Sequence, residues 1–236
     1  MMPDVVKNLL IVNGLFFLGT ISLNSAFDID LRQQLGLFLP QSKFFEPYQF
    51  VTHIFMHADF MHIFFNMFAL WMFGSLLENV LGPKRFLIYY MLTGFGAAFL
   101  HLGVNYVEYL SVVDKLDPQE ISYIKENGRD LLMNGQQFTE PAKAQINLLF
   151  NIPTVGASGA VFGLLLAFGM LFPNSRIYIY FLFPIKAKYF VMIFGAIELI
   201  SGVSSRPGDN VAHFAHLGGM LFGFLLIKFW NLKRFN

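Results

Sequence analysis

Residues 146–172 read INLLFNIPTVGASGAVFGLLLAFGMLF, a stretch without one charged side chain. About 20 apolar residues in a helix cross the hydrocarbon core of a bilayer, so this stretch is long enough to span. Pro153 interrupts it. Proline has no N–H to donate and its ring clashes with the preceding turn. The helix is therefore expected to start near Thr154 and to end at Pro173, with Ile146–Ile152 as an apolar lead outside it. Backbone that is not helical survives at membrane depth only where protein buries it or where it lines a wet cavity. A cavity is thus expected where this helix begins, and Gly156-Ala157-Ser158-Gly159 sets a hydroxyl there among residues too small to shield it.

The rest of the chain repeats the apolar signal. Further runs cover Val5–Asn24, Phe60–Val80, Lys84–Val104, Lys188–Val203 and Asn210–Trp230. No small-residue cleavage pattern follows the first, so it is expected to remain as a span and not as a removed signal. Of the 236 residues 56% are hydrophobic and 13% charged, with mean hydropathy +0.55. Soluble domains carry roughly 25% charged residues. The fold class expected is an all-α polytopic membrane protein, a bundle of six helices. It forms one membrane domain over residues 1–236, with spans near 5–24, 60–80, 84–104, 154–172, 188–203 and 210–230 and an insertion at 105–153. Within that insertion Val107–Leu116 and Pro118–Met133 suit short amphipathic helices. A solvated insertion is the plainer reading of the segment, and a cap over the membrane site the alternative.

Six runs put both termini on one side. Basic residues favour the cytoplasmic side. With cytoplasmic termini the inner segments hold Lys7, Lys84, Arg85, Arg176, Lys186, Lys188, Lys228, Lys233 and Arg234. The outer segments are longer and acidic. The expected location is an integral, multi-pass position in a bacterial inner (cell) membrane with both termini cytoplasmic. A net charge of +1 leaves no basic surplus for phosphate contacts, which excludes nucleic acid as a partner. The chain has no cysteine, so a disulfide framework, a thiolate metal site and a thiol nucleophile are all excluded.

Ionisable and polar residues inside spans are costly and mark function by default. Here they are His62, Asn66, Ser158, Glu198, His213 and His216. Spans two, four and six run from outside to inside, and His62, Asn66, Ser158 and His216 lie in their first two turns. A rise of about 1.5 Å per residue puts all four at one depth, opening to the outer face. Their chemistry is complementary. A serine hydroxyl becomes a nucleophile when a neighbouring base takes its proton, and histidine is the usual base near neutral pH. Acyl transfer needs donors for the developing oxyanion. His62 and Asn66 share a helix face at i, i+4 spacing, and the Ser158 N–H at a helix N-terminus is a third donor. Gly159 and Gly163 in span four match the spacing of Gly219 and Gly223 in span six, a pattern that lets backbones approach closely in lipid.

At these residues the sequence resembles the rhomboid intramembrane serine proteases. The resemblance rests on Gly156-Ala157-Ser158-Gly159 with Gly163, on Ala215-His216-x-x-Gly219-x-x-x-Gly223, and on His57-x-x-x-x-His62-x-x-x-Asn66. It covers roughly residues 5–232. It implies a Ser–His dyad without a third acidic member, with Ser158 as nucleophile and His216 as general base. It further implies His62, Asn66 and the Ser158 N–H as oxyanion donors, and no cofactor. The expected partners are the lipid bilayer and transmembrane protein substrates, cut in or near their membrane segments. Glu78 matches an acidic residue that is structural in the family. The sequence departs from the family in three places. Tyr48-Gln49 stands where a Trp-Arg pair is common, Phe162 stands where some members have tyrosine, and the insertion between spans three and four is longer.

Other readings of the same residues remain. A non-catalytic relative that binds transmembrane segments would keep the fold. A transporter would use the intramembrane histidines and Glu198 as a proton path. His53-x-x-x-His57 has the spacing of a zinc pair but lacks a glutamate at residue 54, and no metal is expected. His213 is read as a polar lining group and Glu198, near the outer end of span five, as a structural hydrogen-bonding group. Asp209 and Asn210 are expected to cap span six, Ser204–Asn210 to form part of the cavity rim, and His101 to reach water.

Overall fold

The computed structural model describes residues 2–179, 182–204 and 211–235. Helix α1 spans Asp4–Phe27. Its first N–H groups have no partner within the helix. The Glu78 carboxylate supplies one, accepting from Val5 N at 3.0 Å and from Val6 N at 2.8 Å. A negative charge at a helix N-terminus is favoured by the aligned peptide dipoles, which accounts for a buried glutamate here.

The loop that follows carries two short helices, α2 (Leu31–Leu35) and α3 (Gln49–Thr52), and a 3-10 turn at His53–Phe55. Gln49, where the resemblance expects an arginine, is buried and organises this loop. Its Oε1 accepts from the N–H groups of Phe38 and Glu46, and its Nε2 donates to the carbonyls of Gln34 and Phe44.

Helix α4 covers Phe60–Ala69, a π-helical turn covers Leu70–Gly74, and α5 continues over Ser75–Leu81. Asp59 caps α4 by accepting from His62 N at 2.8 Å. Helix α6 runs over Pro83–Val113. It continues past the expected boundary at 104 and absorbs most of Val107–Leu116, which forms no separate helix. Helix α7 (Pro118–Met133) opens with a capping box of Asp117 and Glu120.

Helix α8 (Pro141–Asn151) corrects two expectations. The stretch Ile146–Ile152 is not an irregular lead, because residues up to Asn151 are helical. The insertion is also not merely solvated. Ile146 and Phe150 are buried with Leu37, Leu39, Leu102 and Ile124 in an apolar cluster of their own. Ser42 Oγ donates to Phe150 O, and Lys43 pairs with Glu126. The insertion is thereby fastened to the loop after α1.

Helix α9 spans Ser158–Leu171 and starts later than Thr154. Thr154 instead exchanges two backbone hydrogen bonds with Leu37, at 2.8 and 2.9 Å. Gly156 then adopts φ +131°, a region open to glycine alone. Helical dihedrals can resume only beyond it. Strands β1 (Arg176–Ile179) and β2 (Phe183–Lys186) pair antiparallel, with Arg176 opposite Lys186, and are a small departure from all-helical structure. Helices α10 (Ala187–Ser204) and α11 (His213–Phe229) complete the chain. The expected caps Asp209 and Asn210, and the rim segment beyond Ser204, lie outside the described residues.

The molecule is an all-α polytopic membrane protein. Helix α1, the stretch Phe60–Leu81, α6 and α10 are each long and apolar enough to cross a bilayer, while α9 and α11 are shorter apolar helices. Helix α9 sits at the centre, where α6 and α11 enclose it. Its 14 residues make about 21 Å of helix, against about 30 Å of hydrocarbon core. Helix α9 is therefore about 9 Å short of the core thickness. Both described termini lie at its Leu171 end. Phe235 N donates to Leu171 O in the last turn of α9, and Tyr89, near the start of α6, packs against Trp230 at the end of α11. Glu78, just before α6, holds the start of α1.

Candidate active site

Ser158 is the first residue of α9, at the end away from both described termini, and His216 lies in the first turn of α11. His216 Nε2 stands 2.9 Å from Ser158 Oγ. Two pairs of glycines bring the helices to that distance. A Cβ on Gly219 would land on the carbonyl of Gly159, and one on Gly223 would meet Tyr89 Oη and approach Gly163 Cα. Tyr89 Oη in turn donates to Gly163 O at 2.8 Å. A serine side chain reaches one bond past Cβ, so only backbones in contact let it meet a histidine on the neighbouring helix.

The His216 ring is fixed from two further directions. Phe162 stacks on it with centroids 4.1 Å apart and an interplanar angle of 8°. The ring expected from the resemblance is thus present, and no hydroxyl is needed for the stack. At the far edge, Glu198 Oε2 of α10 lies 2.9 Å from His216 Nδ1 and 2.6 Å from His213 Nδ1. The resemblance implies no acidic third member, yet a carboxylate stands at the position such a member would take. Glu198 is buried, and His213 contacts it directly. Among the described residues, Glu198, His213 and His216 are also the group whose ligand atoms lie close enough for a metal, all within 4.8 Å. Contacts of 2.6 and 2.9 Å to one oxygen are hydrogen-bond lengths.

His62 and Asn66 lie on α4 beside the loop before Ser158. Ala58 N–H can only donate, so at 3.3 Å from His62 Nδ1 it makes that nitrogen an acceptor. The ring proton then sits on Nε2. Nε2 in turn faces Gly156, where an added Cβ would crowd it at 2.9 Å and would lie 3.5 Å from Ser158 Oγ. Asn66 Nδ2 donates one hydrogen to His62 O at 2.8 Å. An amide nitrogen carries a second. The Ser158 N–H, in the first turn of α9, has no acceptor within its own helix. His53, Thr154, Gly156, Ser158, Gly159 and Ala212 help line a cavity of about 10 Å³, close to the minimum for one water molecule.

His53, His57 and His101 each meet a neighbouring side chain or carbonyl. His53 Nδ1 is committed to Gln49 O at 2.8 Å, and the His57 ring stands edge-on to His62. Burial lowers both imidazoles to about 4, so both are neutral near pH 7. His101 does not simply face water, since its Nε2 contacts Asn105 Nδ2 at 3.2 Å.

The Rhomboid domain model matches residues 45–231. The chain is 26% identical to the mitochondrial rhomboid protein 1 of Saccharomyces cerevisiae, over 72% of this chain and 38% of that protein. It is 30% identical to the chloroplastic rhomboid-like protein 11 of Arabidopsis thaliana, over 80% of this chain and 53% of the relative. Identity to the putative rhomboid protease YdcA of Bacillus subtilis is 27%, over 77% of this chain and 66% of that one. The chain spans about half the length or less of the first two relatives. A match over residues 45–231, with Ser158 and His216 inside it, means that this chain belongs to the rhomboid family.

Proposed function

We propose that the protein is an intramembrane serine endopeptidase that hydrolyses peptide bonds in or near transmembrane segments of other membrane proteins. The observation that carries this is the 2.9 Å contact of His216 Nε2 with Ser158 Oγ at the start of a short central helix. The Bacillus relative, named a putative rhomboid protease, supports the same reaction class.

In the reaction, His216 Nε2 takes the Ser158 hydroxyl proton as Oγ attacks the carbonyl carbon of the substrate. The carbonyl oxygen becomes an oxyanion, for which the Ser158 N–H, His62 Nε2–H and the second Asn66 amide hydrogen are the donors. Collapse breaks the C–N bond, and His216 returns the proton to the leaving amine. A water molecule, deprotonated by the same Nε2, then cleaves the ester and restores Ser158. The Ser158 end of α9 opens to the outer face, both termini are cytoplasmic, and the setting is a bacterial inner membrane. The basic residues of the inner segments support that orientation.

Ser158→Ala removes the nucleophile. Cleavage of a transmembrane reporter should fall to background in proteoliposomes while the protein still inserts and folds. Reporter cleavage at the wild-type rate by the purified variant would overturn the proposal. Fluorophosphonate labelling should occur on wild type and vanish in this variant.

A further inference from the structure

Helix α10 is apolar along nearly its whole length and most of its surface faces outward, yet it carries Glu198. A carboxylate in a membrane helix is costly to insert and is expected to pair inside the bundle. Its one oxygen Oε2 meets two imidazole nitrogens, His213 Nδ1 and His216 Nδ1. An ionised carboxylate can only accept, so each contact requires an N–H on the histidine side. For His216 this has a chemical consequence. A proton held on Nδ1 leaves Nε2 with its lone pair, and Nε2 is the atom 2.9 Å from Ser158 Oγ.

We infer that Glu198 is a positioning residue for catalysis. It makes Ser158, His216 and Glu198 a three-member chain in which the carboxylate fixes the Nδ1–H tautomer and offsets the positive charge His216 acquires when it takes the serine proton. The inference rests on the proposed protease reading. Glu198 does not touch substrate and acts through His216 alone. His213, bound to the same oxygen at 2.6 Å, sets the direction of the carboxylate. Phe162 stacks on one face of the His216 ring and Glu198 holds its Nδ1 edge, so the two contacts together fix the ring's orientation. The charge lies on α10, a different helix from both the nucleophile and the base. Movement of α10 away from α11 would therefore remove the carboxylate from His216 without disturbing the Ser158–His216 contact directly.

The test is Glu198→Gln, nearly the same size and able to keep a hydrogen-bonded link between α10 and α11. An amide can also donate to Nδ1, which would move the ring proton to Nε2 and leave no base facing serine. With reporter cleavage, kcat should fall at least about 100-fold at unchanged KM, toward the roughly 10⁴-fold cost of the equivalent change in a serine-protease triad. Fluorophosphonate labelling of Ser158 should slow in parallel, and Glu198→Asp should recover part of both. Nitrogen NMR of histidine in the wild-type protein, at mildly alkaline pH, should show His216 protonated on Nδ1 and bare on Nε2. This measurement stands even if a variant fails to fold. A folded E198Q protein that labels and cleaves within about 3-fold of wild type, or a His216 protonated on Nε2, would overturn the inference alone. Wild-type protein that neither labels nor cleaves would defeat the protease reading and this inference with it.

Discussion

Helix α11 has two neighbours that bear on the site, and it meets them in opposite ways. Against α9 the contact is backbone to backbone, at Gly159 with Gly219 and at Gly163 with Gly223. Against α10 side chains fill the gap, with Met220 over the backbone at Gly195 and both histidines on Glu198. The first seam cannot open without separating nucleophile from base. The second can shift by rotamer changes. Dispersion and close packing hold helices together in lipid, where hydrophobic burial gives no advantage. The glycine seam is thus rigid because nothing flexible lies in it, and the α10 seam is compliant because its fillers are a methionine and long polar side chains.

One added methyl group at each of three glycines grades this contrast. Gly219→Ala puts a Cβ onto a main-chain carbonyl, which has no rotamer to change. The helices must part, and His216, one turn earlier on α11, parts with them. Overpacking of this kind costs about 3 kcal/mol or more. Both fluorophosphonate labelling and reporter cleavage should be lost, and the detergent melting temperature should drop the most of the three variants. Labelling at the wild-type rate would show that the seam is not what sets the Ser158–His216 distance.

The rigid seam is also the part that the sequence displays. Glycines at i, i+4 on two spans, with a serine and a histidine in the turns before them, indicate which faces meet and what they carry. The compliant seam is not visible there. Helix α10 is apolar on every side, so no periodicity tells which way Glu198 points. Its meeting with two histidines depends on a rotation that only packing decides. The start of α9 was hidden for a similar reason. Pro153 gives a break, but the bridge from Thr154 to Leu37 joins residues far apart in the chain, and it takes Thr154 and Val155 out of the helix. The insertion read as polar because its exposed residues dominate its composition. Ile124, Ile146 and Phe150 share their apolar cluster with Leu37 and Leu39 of the loop after α1 and with Ala98 and Leu102 of α6, far away in the chain. What was legible was local spacing, and what was missed needed a partner from elsewhere in the fold.

Gly223→Ala tests the same seam where a side chain can yield. The added Cβ displaces the Tyr89 hydroxyl, which donates to Gly163 O, and a buried carbonyl then loses its partner. An unsatisfied buried acceptor costs about 1–3 kcal/mol. The melting temperature should fall by less than for Gly219→Ala, with labelling slowed but retained, because Gly223 is nearly two turns from His216. A loss equal to that of Gly219→Ala would mean that tyrosine gives way no more readily than backbone.

The smallest effect is expected at Gly195→Ala on the compliant side. The new Cβ would stand 3.1 Å from Met220 Cε and 3.7 Å from its sulfur. A thioether end moves by a few tenths of an ångström at little cost. The backbone entropy that alanine saves relative to glycine in a helix, up to about 1 kcal/mol, works in the other direction. The net change in stability should lie within about 0.5 kcal/mol of zero. Glu198, three residues on, keeps its place, so labelling and cleavage should stay at wild-type rates. A large loss of activity with the fold intact would mean that α10 tolerates no displacement at all. The α10 seam would then be as rigid as the glycine seam, and the contrast between the two would fail.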